Sequence, residues 1–115
     1  MLAGDRAERV GDQILREISD LLLKKIRDPR LKGVTLTEVR VSRDLRNACV
    51  YYSLFAEDEQ REQAEKGFES AQGFIRKEIA ERLRLRYVPK IQFKYDTSLE
   101  YGQRIDRLLD KLTPR

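Results

Sequence analysis

The apolar residues of this 115-residue chain change their spacing four times, and the succession of spacings prescribes which elements the fold must accommodate. Ala7, Val10, Ile14, Ile18, Leu21, Leu22 and Ile26 form a broad stripe at helical spacing. They predict a helix over 5–27, opened by a capping-box-like pair, Asp5 and Glu8. Asp28-Pro29 should stop it, because proline disfavours helical geometry at the preceding residue. Residues 30–33 then read as a basic loop ending at Gly33. From there the spacing drops to two. Residues 34–42 (VTLTEVRVS) are β-branched and strand-like, but Val34 and Leu36 share one phase and Val39 and Val41 the other. A bulge near Thr37-Glu38 would reconcile the phases; a misplaced strand would too. Residues 47–55 (NACVYYSLF) put Ala48, Val50, Tyr52 and Leu54 on one face, and the short polar link 43–46 implies an antiparallel hairpin.

Helical spacing returns over 57–71, with Ala64, Gly67, Phe68 and Ala71 inward, and again from about 73 to 85, with Ile75, Ile79 and Leu83 inward. Between them lies Ser70-Ala71-Gln72-Gly73, where the apolar phase shifts and glycine weakens a helix by roughly 1 kcal/mol, so a kink or tight turn is expected. Pro89 opens a third strand, 89–95, with Ile91, Phe93 and Tyr95 on one face. Thr97 with Glu100 would cap a last helix over 98–112. The order α-β-β-α-α-β-α predicts a single α+β domain over residues 1–115, a three-stranded sheet with helices on one face.

Composition narrows the chemistry. The chain has no histidine, which removes Ser-His and Cys-His triads, the paired-His zinc helix and the usual neutral-pH proton shuttle. One cysteine, Cys49, excludes an internal disulfide framework and a multi-cysteine zinc site, and reads as a buried small hydrophobe. No acidic cluster has metal-ligand spacing, so a carboxylate-dependent nuclease has little support and no cofactor or metal is expected. The longest apolar run is Leu21-Leu22-Leu23, and no basic segment with an apolar stretch opens the chain. The expectation is a cytoplasmic binding module rather than an enzyme or membrane protein.

Charge is segregated along the chain. Residues 24–46 hold eight bases against three acids, and residues 73–95 hold seven against two. Residues 57–69 hold six acids against two bases. If the two basic blocks meet in space they make a positive side that attracts and orients a polyanion. A solvated, salt-bridged surface is the bland alternative. Tyr51, Tyr52, Phe55, Phe93 and Tyr95 could stack bases, but on strands they read better as packing residues. Asp96 and Glu100 read as capping groups rather than a catalytic pair.

Several segments in order carry a resemblance: Arg27-Asp28-Pro29-Arg30-Leu31, Val39-Arg40-Val41-Ser42-Arg43-Asp44-Leu45, Ser70-Ala71-Gln72-Gly73-Phe74-Ile75-Arg76, Leu85-Arg86-Tyr87-Val88-Pro89 and Phe93-Lys94-Tyr95-Asp96. Together they resemble the ribosome-binding factor A family of bacterial small-subunit assembly factors, from about Arg6 to Leu112. The resemblance implies a type II KH-like fold with an added C-terminal helix. KH domains usually grip single-stranded RNA with a GXXG loop. No two glycines here have that spacing, and Ala71-Gln72-Gly73 matches the family's Ala-X-Gly kink instead. A helix starting at Gly73 would offer free N–H groups and a positive dipole end to phosphate. Equally, Ala71 and Gly73 could be small so that two helices pack closely.

The resemblance further implies a non-enzymatic, monomeric factor for the small (30S) subunit. It would contact 16S rRNA and neighbouring ribosomal proteins and assist late maturation, including 5′-end processing, especially in the cold. The expected RNA-binding residues are Ala71, Gln72, Gly73, Arg76, Lys77, Arg84, Arg86, Lys90 and Lys94. Lys24, Lys25, Arg27, Arg30, Lys32, Arg43 and Arg46 make a second contact zone. The rival class is an adaptor that meets ribosomal proteins, rather than RNA, through the acidic helix and a basic face.

Overall fold

The computed structural model describes residues 4–54 and 58–97. Helix α1 spans Gly4–Lys24, and its stripe Ala7, Val10, Ile14, Ile18 and Leu21 is buried. The helix includes Gly4 and Asp5, so Asp5 is not its cap. It also ends sooner than Asp28-Pro29 suggests. The amides of Lys25 and Ile26 both donate to the Leu21 carbonyl, at 2.9 and 2.8 Å, which breaks the regular ladder. Asp28 instead begins the next element. Its carboxylate accepts the Arg30 N–H at 2.9 Å, with Pro29 at the first position of a 3-10 turn, Pro29–Leu31. Gly33 follows with φ +85°, a left-handed turn that glycine adopts without strain.

Strands β1 (Thr35–Val41) and β2 (Asn47–Ser53) form the expected antiparallel hairpin, and the register slips between Leu36 and Glu38, at the predicted bulge. Strand β3 (Lys90–Tyr95) pairs parallel to β2, giving the order β1-β2-β3. Ala48, Val50, Tyr52 and Ile91 face the helices and are buried. Cys49 points the other way and is half-buried, a correction to its reading as a core residue. The reason is the two-residue strand period: its neighbours Ala48 and Val50 take the core face.

Helix α2 runs unbroken from Asp58 to Leu83, so the two helices expected around residue 72 are one. Its inward residues Ala64, Phe68, Ala71, Ile75 and Ile79 keep one helical spacing straight through Gly73. The stripe never changes phase, and the cost of one exposed glycine, about 1 kcal/mol, does not outweigh such a continuous buried face. The α+β class, the three-stranded sheet and the helices on one face are as expected. The expected last helix, 98–112, and Phe55 lie outside the described residues.

Three packing details hold the layers. A Cβ on Gly11 would sit 2.8 Å from the Val39 carbonyl oxygen, so α1 lies against the β1 backbone where only glycine fits. Gly67 likewise seats buried Leu31, whose Cδ2 a Cβ would meet at 2.9 Å. Between the helices, Arg82 donates to Glu17 at 2.7 Å and Asp20 at 3.0 Å. Aromatic stacking completes the core: Phe68 lies 4.2 Å from Phe93, and Tyr52 contacts both Phe68 and Tyr95. These strand aromatics pack, as read.

The glycines respond oppositely to one substitution. Gly11→Ala is expected to lose roughly 1–3 kcal/mol in urea denaturation, because backbone cannot yield. Gly73→Ala, with nothing within 4 Å of the added carbon, should gain up to about 1 kcal/mol. Acid acts through the paired carboxylates. Hydrogen bonds from Lys24 and Arg82 hold Asp20 below its ordinary 3.8. A lowered carboxyl stabilises the fold fully above that value and ceases to as the pH falls through its lower native value. Melting temperatures measured from pH 7 down to 2.5 should therefore fall less steeply for Asp20→Asn than for the parent.

Candidate nucleic-acid interface

Because β2 and β3 run parallel, their N-terminal ends lie side by side, and Lys90 N–H donates to the Arg46 carbonyl at 2.7 Å. The β1–β2 turn and the α2–β3 loop therefore meet. With the first turns of α1 and the middle of α2 they enclose a cleft of about 670 Å³. Val10, Leu45, Leu85, Val88 and Pro89 make its apolar lining. Arg6, Arg46, Arg76, Arg86 and Lys90 make a cationic rim, and all five are exposed. Among the described residues none of the five forms an ion pair within 4 Å.

The one acid in the lining, Asp44, has a local task. It accepts the Ser42 hydroxyl at 2.6 Å and the Arg46 N–H at 3.0 Å, and those bonds hold its carboxyl below the usual range. The turn it organises carries Leu45 in the left-handed region, φ 62°, and Arg84 at the end of α2 does the same, φ 48°. A non-glycine residue there costs about 1–2 kcal/mol. Both such residues flank the cleft: Leu45 turns its side chain into the lining, and Arg84 directs residues 85–89 across it.

Of the expected site residues, Arg46, Arg76, Arg86 and Lys90 come together from two distant blocks. Arg43 is exposed in the same turn as Arg46, Lys77 is exposed beside Arg76, and Arg84 is exposed at the helix end, but none lines the cleft. Lys94 lies elsewhere, in a groove between α2 and β3 with Glu65, Glu69 and Gln92. The second contact zone is not one surface. Its residues 24–32 follow the far end of α1, and Arg6 and Lys24 are separated by about 27 Å of helix rise. Lys24 pairs with Asp20 at 2.9 Å, Lys25 with Glu78 at 3.4 Å and Arg30 with Asp28 at 2.7 Å. Arg27 is exposed, and Lys32 lines a shallow depression with Arg30, Gln60 and Gln63.

The Ala71-Gln72-Gly73 segment differs from its expected form. No helix begins at Gly73, so no free N–H groups or dipole end face a phosphate there. Ala71 packs against the core, and the Gln72 amide donates to the Ile91 carbonyl at 2.6 Å, fastening α2 to β3. Nor is Gly73 small for helix packing, since nothing lies near it; close approach explains Gly11 and Gly67 instead. What remains is an open stretch of helix on the face that carries Arg76 and Lys77 three and four residues later. Sequence reasoning passed over two residues of the cleft. Arg6 lies outside both basic blocks, and Tyr87, 73% exposed, received no role of its own. Among the described residues no His, Cys, Asp and Glu cluster is placed to hold a metal, and no helix is long and apolar enough to cross a membrane.

Known proteins share this architecture. A solution NMR structure of a candidate ribosome binding factor A from Thermotoga maritima superposes with a TM-score of 0.71 at 36% identity, covering 83% of this chain and 91% of that one. A homology model of the Thermus thermophilus ribosome binding factor A, fitted into the cryo-EM map of a 30S–RbfA complex, gives 0.66 at 26% identity over 79% and 96%. A ribosome-binding factor A from Citrifermentans bemidjiense is 47% identical over 107 residues, 93% of this chain and 90% of that protein. The sequence model of that family matches residues 6–109, and the chain belongs to the ribosome-binding factor A family.

Proposed function

We propose that this protein binds the free small (30S) ribosomal subunit through its 16S rRNA, acting as one 115-residue unit in the cytoplasm. The cleft carries the proposal: five exposed cations from four separate segments converge on one concavity that contains a single, internally bonded acid. Such a concentration of positive charge focuses the field on a polyanion. The Thermus thermophilus relative fitted into a 30S complex supplies the particle.

In this reading the protein is a binding factor and not an enzyme. Phosphate contacts set affinity, and the shape of the rRNA sets position. Holding a junction in an immature conformation shifts its population, which assists late maturation, 5′-end processing included, until later folding or a release factor expels the monomer. Gly73, Arg76 and Lys77 extend the interface along α2, with Arg43 and Arg84 at the rim. Neighbouring ribosomal proteins meet the periphery. An adaptor reading has one observation behind it, the groove carrying Glu65 and Glu69 beside Lys94.

The double variant Arg46→Glu/Arg76→Glu tests the proposal. Its affinity for small subunits should drop, and the slope of log K against log salt should flatten by about 2, one for each phosphate no longer neutralised. Parent protein should sediment with free small subunits in preference to complete ribosomes. A folded double variant with unchanged affinity and slope overturns the cleft as the RNA site. Salt-insensitive binding that requires ribosomal protein supports the adaptor instead.

A further inference from the structure

Among the described residues two aromatic side chains stand exposed outside the core, Phe74 and Tyr87, and of these Tyr87 lines the cleft. It is 73% exposed, in a chain whose Tyr52 is fully buried and whose Phe68 and Phe93 stack on each other. It lines the cationic cleft, and the Arg86 guanidinium lies 5.6 Å from its ring centroid. That contact uses one face of the ring and fixes a positive charge beside it. Leu85, Val88 and Pro89 supply apolar walls within the same short loop. An apolar recess with an aromatic plate and a cationic rim matches a nucleotide's flat base and its phosphate.

We propose that the cleft captures an unpaired nucleotide of RNA, its base stacked on Tyr87 and its flanking phosphates held by Arg86, Arg76 and Lys90. This rests on the rRNA-binding reading and names the form of RNA taken. A base within a duplex is stacked on both faces by its neighbours and cannot present itself to Tyr87, so the cleft selects single-stranded segments. A chain of phosphates suits the site better than a lone one, because the five cations rise from four separated segments around the rim.

The experiment measures binding of the full chain to three probes: a single-stranded hexa-adenylate, a blunt two-strand RNA duplex, and AMP. The variants are Tyr87→Ser and Tyr87→Phe, each checked by thermal melting; exposure of the side chain leaves the fold intact. Tyr87→Ser should weaken hexa-adenylate binding about tenfold with its salt slope unchanged, while Tyr87→Phe binds like the parent. Duplex binding should not respond to either variant. Equal hexa-adenylate affinity for parent and Tyr87→Ser overturns the proposal, as does an equal weakening on the duplex. Saturation by AMP at concentrations matching the hexanucleotide would assign the recess to a free nucleotide and overturn the RNA assignment. Sedimentation of Tyr87→Ser with small subunits separates the two readings: retained co-sedimentation alongside an indifferent Tyr87 refutes stacking alone, and failure of the parent to co-sediment refutes the function.

Discussion

The parallel pairing of β2 with β3 is the constraint from which the cleft follows. A parallel neighbour puts the starts of both strands at the same edge of the sheet, and the bond from Lys90 N–H to the Arg46 carbonyl closes that edge. A parallel partner also requires a long return crossover, which α2 provides in 26 residues. The helix delivers Arg76 partway and ends at Arg84, whose left-handed backbone turns the chain across the edge. Had β3 paired antiparallel, residues 85–90 would sit beside Ser53 rather than beside the 42–46 turn, and the two basic segments would be a strand length apart.

Two groups among the described cations are not separated by composition. Arg82, Lys24, Lys25 and Arg30 are paired with carboxylates across and along the helices. The pairs of Arg82 and Lys25 join α1 to α2 or its flank, so they serve the fold. The cleft's cations have no such partners among the described residues, and their attraction remains available to a ligand. Pairing, more than count, decides which part of a basic protein binds a polyanion. The groove beside β3 shows the converse: Lys94 shares it with Glu65 and Glu69, and the Gln72 amide occupies the edge carbonyl of Ile91.

The hairpin, its bulge, the buried faces of β2 and β3 and the stripe of α1 were all legible, because each is a local period of apolar residues. The break expected at Gly73 rests on a phase shift that the fold does not have: Phe68, Ala71 and Ile75 share one face of a continuous helix, and that buried face outweighs glycine's local cost. Asp28-Pro29 was misread because the dipeptide ends a helix or starts a turn equally well; the double closure on the Leu21 carbonyl settles which. Within the site, charge blocks pointed to Arg46, Arg76, Arg86 and Lys90, yet gave equal weight to Lys24, Lys25 and Arg30.

Sequence alone determined the elements, their buried faces and the presence of two cationic segments, since periodicity and charge are properties of neighbouring residues. Tertiary structure decided which cations meet, which are neutralised and which exposed aromatic enters the cleft. Arg6 and Tyr87 lie 81 positions apart and enter one cleft only because α1 packs on β1 and the parallel pairing of β3 with β2 brings the α2–β3 loop to the same end of the sheet. Such proximity depends on the direction of strand pairing, and no local pattern encodes it.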